Sequence, residues 1–300
     1  MSNNVLQYTP WIDCNTGCRF CFNRNQPDVD KVKSLKYLIS LLKLPEAQTV
    51  DGYGLIGGEF FQNQLQDPEV FTLFYELVDR IIGLLLKRDK HNFWITTSLL
   101  FKMDKYLLPF LDHIKEQGVL DRILLCTSWD SKYRFKNENA KRLWEANVDR
   151  LHELYPELRI HVEIILTEHL MQMYLNGEFE VHAFADRYKV RVDFLEPNTG
   201  FQDKEPFMRD MPDFLGKRAT FMRFVREVVS TWSAQEKDDF LNQKLRSNIL
   251  YHIENGKHYH VVNRHNIPIL KQTCKHDIKQ GYSDSDRNMT DDYALLKGVI

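Results

Sequence analysis

Through the first two hundred residues, short runs rich in β-branched and apolar residues alternate with longer segments whose apolar positions recur every three or four residues. This rhythm predicts strands over Val5–Thr9, Asp51–Ile56, Asn92–Thr97, Arg122–Thr127, Arg159–Leu166 and Lys189–Leu195. Five helices are expected between them. Start and stop signals mark their limits: Asp28 ahead of Val29–Leu44, Asp67-Pro68-Glu69 with proline in the first turn, Asp104 near the start of a segment ending at Gly118, Asn139–Tyr155 stopped by Pro156, and Glu168–Leu175 before Gly177. Regular alternation of strand and helix implies an α/β fold, a mostly parallel sheet with crossover helices.

The rhythm breaks at about Asn198, in a polar stretch holding Gly200, Pro206 and Pro212. Helical patterns follow near Phe214–Trp232 and Gln235–Asn248. Leu250–Glu254 and Lys257–Asn263 then flank Asn255-Gly256, a two-residue hairpin signal. The chain therefore divides into an α/β unit, residues 1–198, and a C-terminal α+β extension, residues 199–300, read as a substrate cover or a partner surface. Its segment 281–292 is rich in acidic and turn residues and reads as an irregular surface loop.

Composition narrows the class. With 300 residues, 43% hydrophobic and 27% charged, the chain can bury a sizeable core. A net charge of −2 supplies no global field to hold nucleic acid, so any such role must be local. The first residues, Met-Ser-Asn-Asn, form no leader pattern, and the longest apolar run, Ile81–Leu86, is far below membrane-spanning length. The expectation is a cytoplasmic protein with no membrane partner. Three of the five cysteines lie in one short loop, which suits metal ligation in a reducing compartment rather than a disulfide framework.

That loop, Cys14-Asn-Thr-Gly-Cys18-Arg-Phe-Cys21, carries the most chemistry. Three thiolates at this spacing suit three corners of one iron–sulfur cube, which leaves one iron open for a reactant. A zinc site completed by one of the 11 histidines is the other reading of the same thiols. About one strand–helix unit later, Gly57-Gly58-Glu59 follows the second predicted strand. Together, in this order, the two motifs make the chain resemble the radical S-adenosylmethionine (SAM) superfamily, whose signature is C-x3-C-x2-C with an aromatic residue, here Phe20, before the last cysteine. The resemblance covers roughly residues 5–200.

The resemblance implies a partial (β/α)6 TIM-like barrel, open on one side, with the ligand at the carboxyl edge of the sheet. It also implies an oxygen-sensitive [4Fe-4S] cluster on Cys14, Cys18 and Cys21, with SAM's amino and carboxylate groups on the fourth iron. Reductive cleavage of SAM then gives methionine and a 5′-deoxyadenosyl radical that takes hydrogen from a substrate. In this frame Gly17 lets the loop turn, Gly57 and Gly58 allow close backbone approach, and the Glu59 carboxylate or neighbouring carbonyls accept from the SAM ammonium. Ser128 and Asp130 resemble a Ser-x-Asp pattern near SAM, and Arg134 is the downstream base that pairs with the SAM carboxylate. Ser98 closes strand three and is a further contact. Thr167 is an adenosine contact or a helix N-cap. Glu196 and Asn198, after strand six, are the candidate substrate contacts.

Cys126, inside an apolar strand, reads as a small buried hydrophobe. Cys274-Lys-His276-Asp277 is similar to the auxiliary-cluster tails of some family members, but one cysteine does not make a second cluster. Basic and aromatic residues interleave in Lys217-Arg218-Ala-Thr-Phe221-Met-Arg223-Phe224 and Lys257-His258-Tyr259-His260, a pattern that binds phosphates and stacks bases or else forms an amphipathic helix and a hairpin face. The reading leans toward modification of a nucleotide or nucleic-acid base. A peptide or protein substrate is the alternative within the family, and a non-catalytic metal-binding protein on the same fold is the alternative outside it. The expected redox partner is a flavodoxin- or ferredoxin-like one-electron reductant.

Overall fold

Six parallel strands form where the alternating runs predict them: β1 Val5–Tyr8, β2 Gly52–Leu55, β3 Asn92–Thr96, β4 Ile123–Trp129, β5 Arg159–Ile165 and β6 Arg191–Leu195. The structure is a computed structural model, and it describes residues 5–18, 21, 29–43, 48, 52–88, 92–165, 167–195, 218–234, 249–254 and 257–262. Crossover helices join the strands: α1 Lys31–Leu41, α2 Pro68–Leu85, α3 Leu107–Glu116, α4 Glu138–Leu154, α5 Glu168–Leu175 and α6 Val181–Tyr188. Helix α6 was not expected, because its eight residues follow closely on α5 and do not present a periodic pattern long enough to read separately. It also shortens the sixth strand. Lys189 caps α6 in the left-handed conformation (φ 52°), so strand pairing begins at Arg191 rather than Lys189.

Neighbouring strands follow chain order across the sheet, β6-β5-β4-β3-β2-β1, the winding of a partial barrel. The sheet does not stop at residue 198. Strands β7 Ile249–Glu254 and β8 Lys257–Val262 form the expected hairpin, and β7 lies parallel to β1, giving eight strands in one sheet. Glu254 opposite Lys257 is the register that a two-residue loop demands; Asn255 and Gly256 themselves lie outside the described residues. The sheet remains open: among the described residues, the edge strands β6 and β8 do not pair.

Period-two alternation separates two faces. One face of β2–β6, with Tyr53, Leu55, Phe93, Ile95, Ile123, Leu125, Val162, Ile164 and Val192, is buried in a single apolar cluster with the helices. The other positions of the same strands, among them Trp94, Thr96, Ser128, Glu163, Arg191 and Asp193, are half-buried and form the inner face of the open barrel. Helix caps hold the layers in place. Asp67 accepts from Glu69 and Val70 ahead of Pro68, Asn137 accepts from Ala140, and Thr167 accepts from Leu170.

Helix α7, Arg218–Ser230, docks the extension against α5, α6 and β6. Trp232 donates to the Val192 carbonyl at 2.6 Å, and the Arg191 guanidinium lies over its ring, so the edge strand is covered. Phe224 is buried in the core, which withdraws it from the basic and aromatic surface expected of this segment, whereas Arg223 lies over Tyr174 and stays exposed. The predicted helix 235–248, Cys274 and the loop 281–292 lie outside the described residues. No helix of the described residues is long and apolar enough to cross a membrane.

Glycines in β2 make room on the inner face. A Cβ on Gly54 would lie 2.1 Å from the Trp94 indole, whose ring rests across the strand. Gly54→Ala is therefore expected to lower stability by about 1–3 kcal/mol through overpacking. The double variant with Trp94→Leu should recover most of the loss in urea unfolding, and an unchanged midpoint for Gly54→Ala would contradict the packing.

Candidate functional site

The carboxyl ends of β1 and β2 are fastened together by backbone alone. Ile56 N–H donates to Tyr8 at 2.8 Å, Gly58 N–H to Trp11 at 2.9 Å, and Glu59 N–H to Asp13 at 2.9 Å. Only glycine permits this approach. Gly57 has φ +143° and its Cβ would meet the Trp11 carbonyl at 2.4 Å, while a Cβ on Gly58 would meet that of Asp13 at 2.1 Å. The two glycines thus press the β2 loop against residues 11–13, the entry to the cysteine loop. This is the close approach the structure shows for them.

Glu59 fixes the clamp. Its side chain is buried, and its carboxylate accepts from the amides of Phe60 (2.9 Å), Phe61 (3.1 Å) and Ser98 (2.6 Å) and from the Thr97 hydroxyl (3.1 Å). Its carbonyl takes the Trp11 indole N–H at 2.9 Å. Burial pushes the Glu59 carboxyl up, and the donors from Ser98, Phe61 and Thr97 pull it back. The carboxylate is thus occupied by donors of the protein itself. Thr97 ended a predicted strand but received no role from the sequence; its hydroxyl, spaced to reach back to β2, was not legible locally.

The loop itself follows. Cys18 is buried, Cys14 and Cys21 are half-buried, and all are free thiols. Gly17 takes φ +64°, the left-handed turn between the first two thiols. Thr16 N–H donates to Cys14 Sγ at 3.4 Å. Burial pushes the Cys14 thiol up, and the Thr16 contacts offset part of this. Gln64 reaches the Asp13 carbonyl at 3.3 Å, and Lys31 pairs with the Asp13 carboxylate at 3.3 Å, bracing the loop's first residues.

From the end of β4, Arg134 enters the same site. The buried guanidinium donates from Nη1 to Cys18 Sγ at 3.2 Å and from Nη2 to the Ser98 carbonyl at 3.0 Å. Asp130 shapes the turn that delivers it, accepting from Lys132 N–H at 2.9 Å and from Tyr133 N–H. Thr167 caps α5 and donates to Asp130 at 3.2 Å, while burial pushes the Asp130 carboxyl up. Leu99 follows Ser98 in the left-handed region (φ 54°), a strained conformation for a leucine. Asn147 of α4 holds that turn by donating to the Leu99 and Phe101 carbonyls at 2.9 and 2.8 Å.

Cys18, Arg134, Ser98 and Glu59 are thus joined in one hydrogen-bonded chain, with Cys14, Gly57 and Gly58 in the adjoining loops and Asp130 and Thr167 as a supporting pair behind Arg134. Ser128 stands apart on the inner face, in register with Glu163 of β5 and, through it, Asp193 of β6. Those two carboxylates were missed as candidates, although polar residues at every second position of the strands were the signal. Phe20, Glu196 and Asn198 lie outside the described residues.

The three thiols and the N–H donors beside two of them are the ligand types that a thiolate-held cube would use. Among the described residues, no three metal-ligating groups gather around a single ion-sized point. A cube instead takes each thiolate on a different iron, and N–H donors to sulfur, as from Arg134 and Thr16, are the customary second layer of such sites. Two buried polar atoms beside the loop, Thr9 Oγ1 and Arg134 Nε, have no protein partner and remain for a polar ligand.

No family model matches the chain, and no curated protein matches it. Among solved structures, native anSMEcpe with bound AdoMet is similar over 83% of this chain and 64% of its own length, with a TM-score of 0.48 and 16% identity. A hexahistidine-tagged form of anSMEcpe with bound AdoMet is similar over 83% of this chain and 63% of its own, with a TM-score of 0.47 and 14% identity. The chain spans a little under two thirds of the length of these structures.

Glu59→Gln tests the clamp. A glutamine amide turns donors toward the amides of Phe60, Phe61 or Ser98, and the expected loss is about 2–4 kcal/mol in denaturant unfolding. Glu76→Gln, an exposed control on α2, should change stability by less than about 0.5 kcal/mol. Equal effects at the two positions would contradict the role given to Glu59.

Proposed function

We propose that this protein is a radical SAM enzyme. The observation that carries the reading is the three-thiol loop itself, clamped by Gly57-Gly58-Glu59 and contacted by Arg134 at the carboxyl edge of an open barrel. A [4Fe-4S] cluster held by these residues would supply, when reduced, the electron for reductive cleavage of SAM to methionine and a 5′-deoxyadenosyl radical. Cys14, Cys18 and Cys21 would hold three irons. Arg134, through its guanidinium beside Cys18, and the Thr9 hydroxyl would orient the polar end of SAM, and the carbonyls around Gly57 and Gly58 would accept from its ammonium. Trp11, Phe60 and Phe74 pack beneath the clamp and keep water from its underside.

The inner face supports a polar substrate. Ser128, Glu163 and Asp193 stand side by side in register, near the end of β4 and in the middle of β5 and β6, and their oxygens suit donor groups such as the amino groups of a nucleobase, with Asp193 also paired to Arg191. Modification of a nucleotide or nucleic-acid base is accordingly the leading substrate reading, ahead of a peptide, with Glu196 and Asn198 as further contacts. A small one-electron reductant, flavodoxin- or ferredoxin-like, completes the system.

Anaerobic reconstitution with iron and sulfide, followed by dithionite and SAM, tests the reading. The expected result is a brown protein with a cubane spectrum that forms 5′-deoxyadenosine. Cys14→Ala, Cys18→Ala and Cys21→Ala should each lose iron and product, whereas Cys274→Ala should leave iron content unchanged. A colourless, zinc-loaded protein that forms no 5′-deoxyadenosine would instead support the non-catalytic metal-binding reading.

A further inference from the structure

At the opposite, amino-terminal edge of the sheet, a cavity of about 360 Å³ opens beside the starts of β5 and β6. Its lining holds five basic side chains, His152, Arg159, His161, Lys189 and Arg191, and no carboxylate. Two strands, one helix end and one turn contribute them, so the concentration of cations is a product of the fold rather than of a charged run in the sequence. We propose that this cavity is a binding site for a phosphate group carried by a small molecule.

Arg159 donates to Asn92 at 2.7 Å, and Arg191 contacts Asp193, one inner-face position further along β6, at 3.3 Å. Asp149, near His152, is engaged by both terminal nitrogens of Arg187 at 3.0 and 3.1 Å. Three permanent cations therefore meet in a lining with no acid of its own. A phosphate monoester, with nearly two negative charges at neutral pH and several acceptor oxygens, matches this better than a carboxylate does.

The imidazoles respond to that field. Burial first, then Arg191 and Arg159, push His161 down to about 3. His152 is pushed down by burial and by Lys189, against the opposing effects of Tyr188 and Asp149. His152 Nε2 is also buried without a protein partner, a polar atom left for a ligand. Lys189 holds the left-handed conformation where glycine is the ordinary choice, so a strained lysine stands at the rim of the cavity. Pro156 and Leu158 supply an apolar wall for the organic part of the ligand.

The site is distinct from the cysteine loop. Parallel strands put the two at opposite edges of the sheet, separated by about a strand's length, roughly 15–20 Å. The inference does not rest on the radical SAM reading and is tested without cluster or SAM turnover.

Titration calorimetry of the full chain, at ionic strength held constant with sodium chloride, would use inorganic phosphate and adenosine monophosphate as probes. Saturable one-site binding is expected, weakened about tenfold in Lys189→Gln and in Lys189→Gly. Lys189→Gly relieves the backbone while removing the charge, so its Tm should be equal to or above that of the parent protein. Tighter binding of the nucleotide identifies a phosphorylated small molecule; equal or tighter binding of inorganic phosphate would overturn the organic part of the proposal. Absence of saturation by either probe at about 10 mM, or binding indifferent to both Lys189 variants, would overturn the site. A single-stranded oligoribonucleotide that binds where the small probes do not would also overturn it, in favour of a nucleic-acid surface.

Discussion

One buried carboxylate holds the site together. Glu59 accepts from donors on its own loop and on the end of β3, while its backbone links to the residues entering the cysteine loop. A charge in the interior is costly unless it is hydrogen-bonded, and charge-assisted bonds to backbone amides are the strong kind. Three strand ends are thereby fixed relative to one another by a single residue, β3 through its carboxylate and β1 through its backbone. Arg134 extends the linkage to β4 by bridging Cys18 and the Ser98 carbonyl, and the Asp130–Thr167 contact carries it to β5. The described residues of the thiol loop have no regular structure of their own and are held by these ties to the sheet edge.

The glycines and the glutamate divide the work. Gly57 and Gly58 remove side chains that would separate the two backbones by about an ångström or more, and Glu59 then closes the gap with hydrogen bonds. A motif that reads as ligand-binding in the sequence is, in the structure, the means by which two strand ends are joined: the N–H groups of Gly58 and Glu59 donate to residues 11 and 13.

Much of the architecture was legible in local patterns. All six parallel strands fall within a few residues of their expected limits, because short apolar, β-rich runs are bounded by turn residues and separated by helical patterns. Asp67 and Thr167 announce their helices through short-range capping chemistry. Long-range choices were not legible. Nothing near Leu250 indicates that β7 will lie beside β1, and nothing near Thr97 indicates that its hydroxyl will reach Glu59, since these contacts depend on segments far away in the chain. Helix α6 was missed because it is short, and the inner-face acids Glu163 and Asp193 were missed because each looks like an ordinary polar position until register puts them side by side.

The central claim is that the clamped thiol loop leaves one iron of a cube open to SAM. Electron paramagnetic resonance of the reduced, reconstituted protein, recorded without and with SAM labelled with oxygen-17 in its carboxylate, tests this most directly. The account predicts a change in the g-values on adding SAM and a hyperfine coupling from the label. A cluster signal that SAM leaves unaltered, with no coupling, would contradict it.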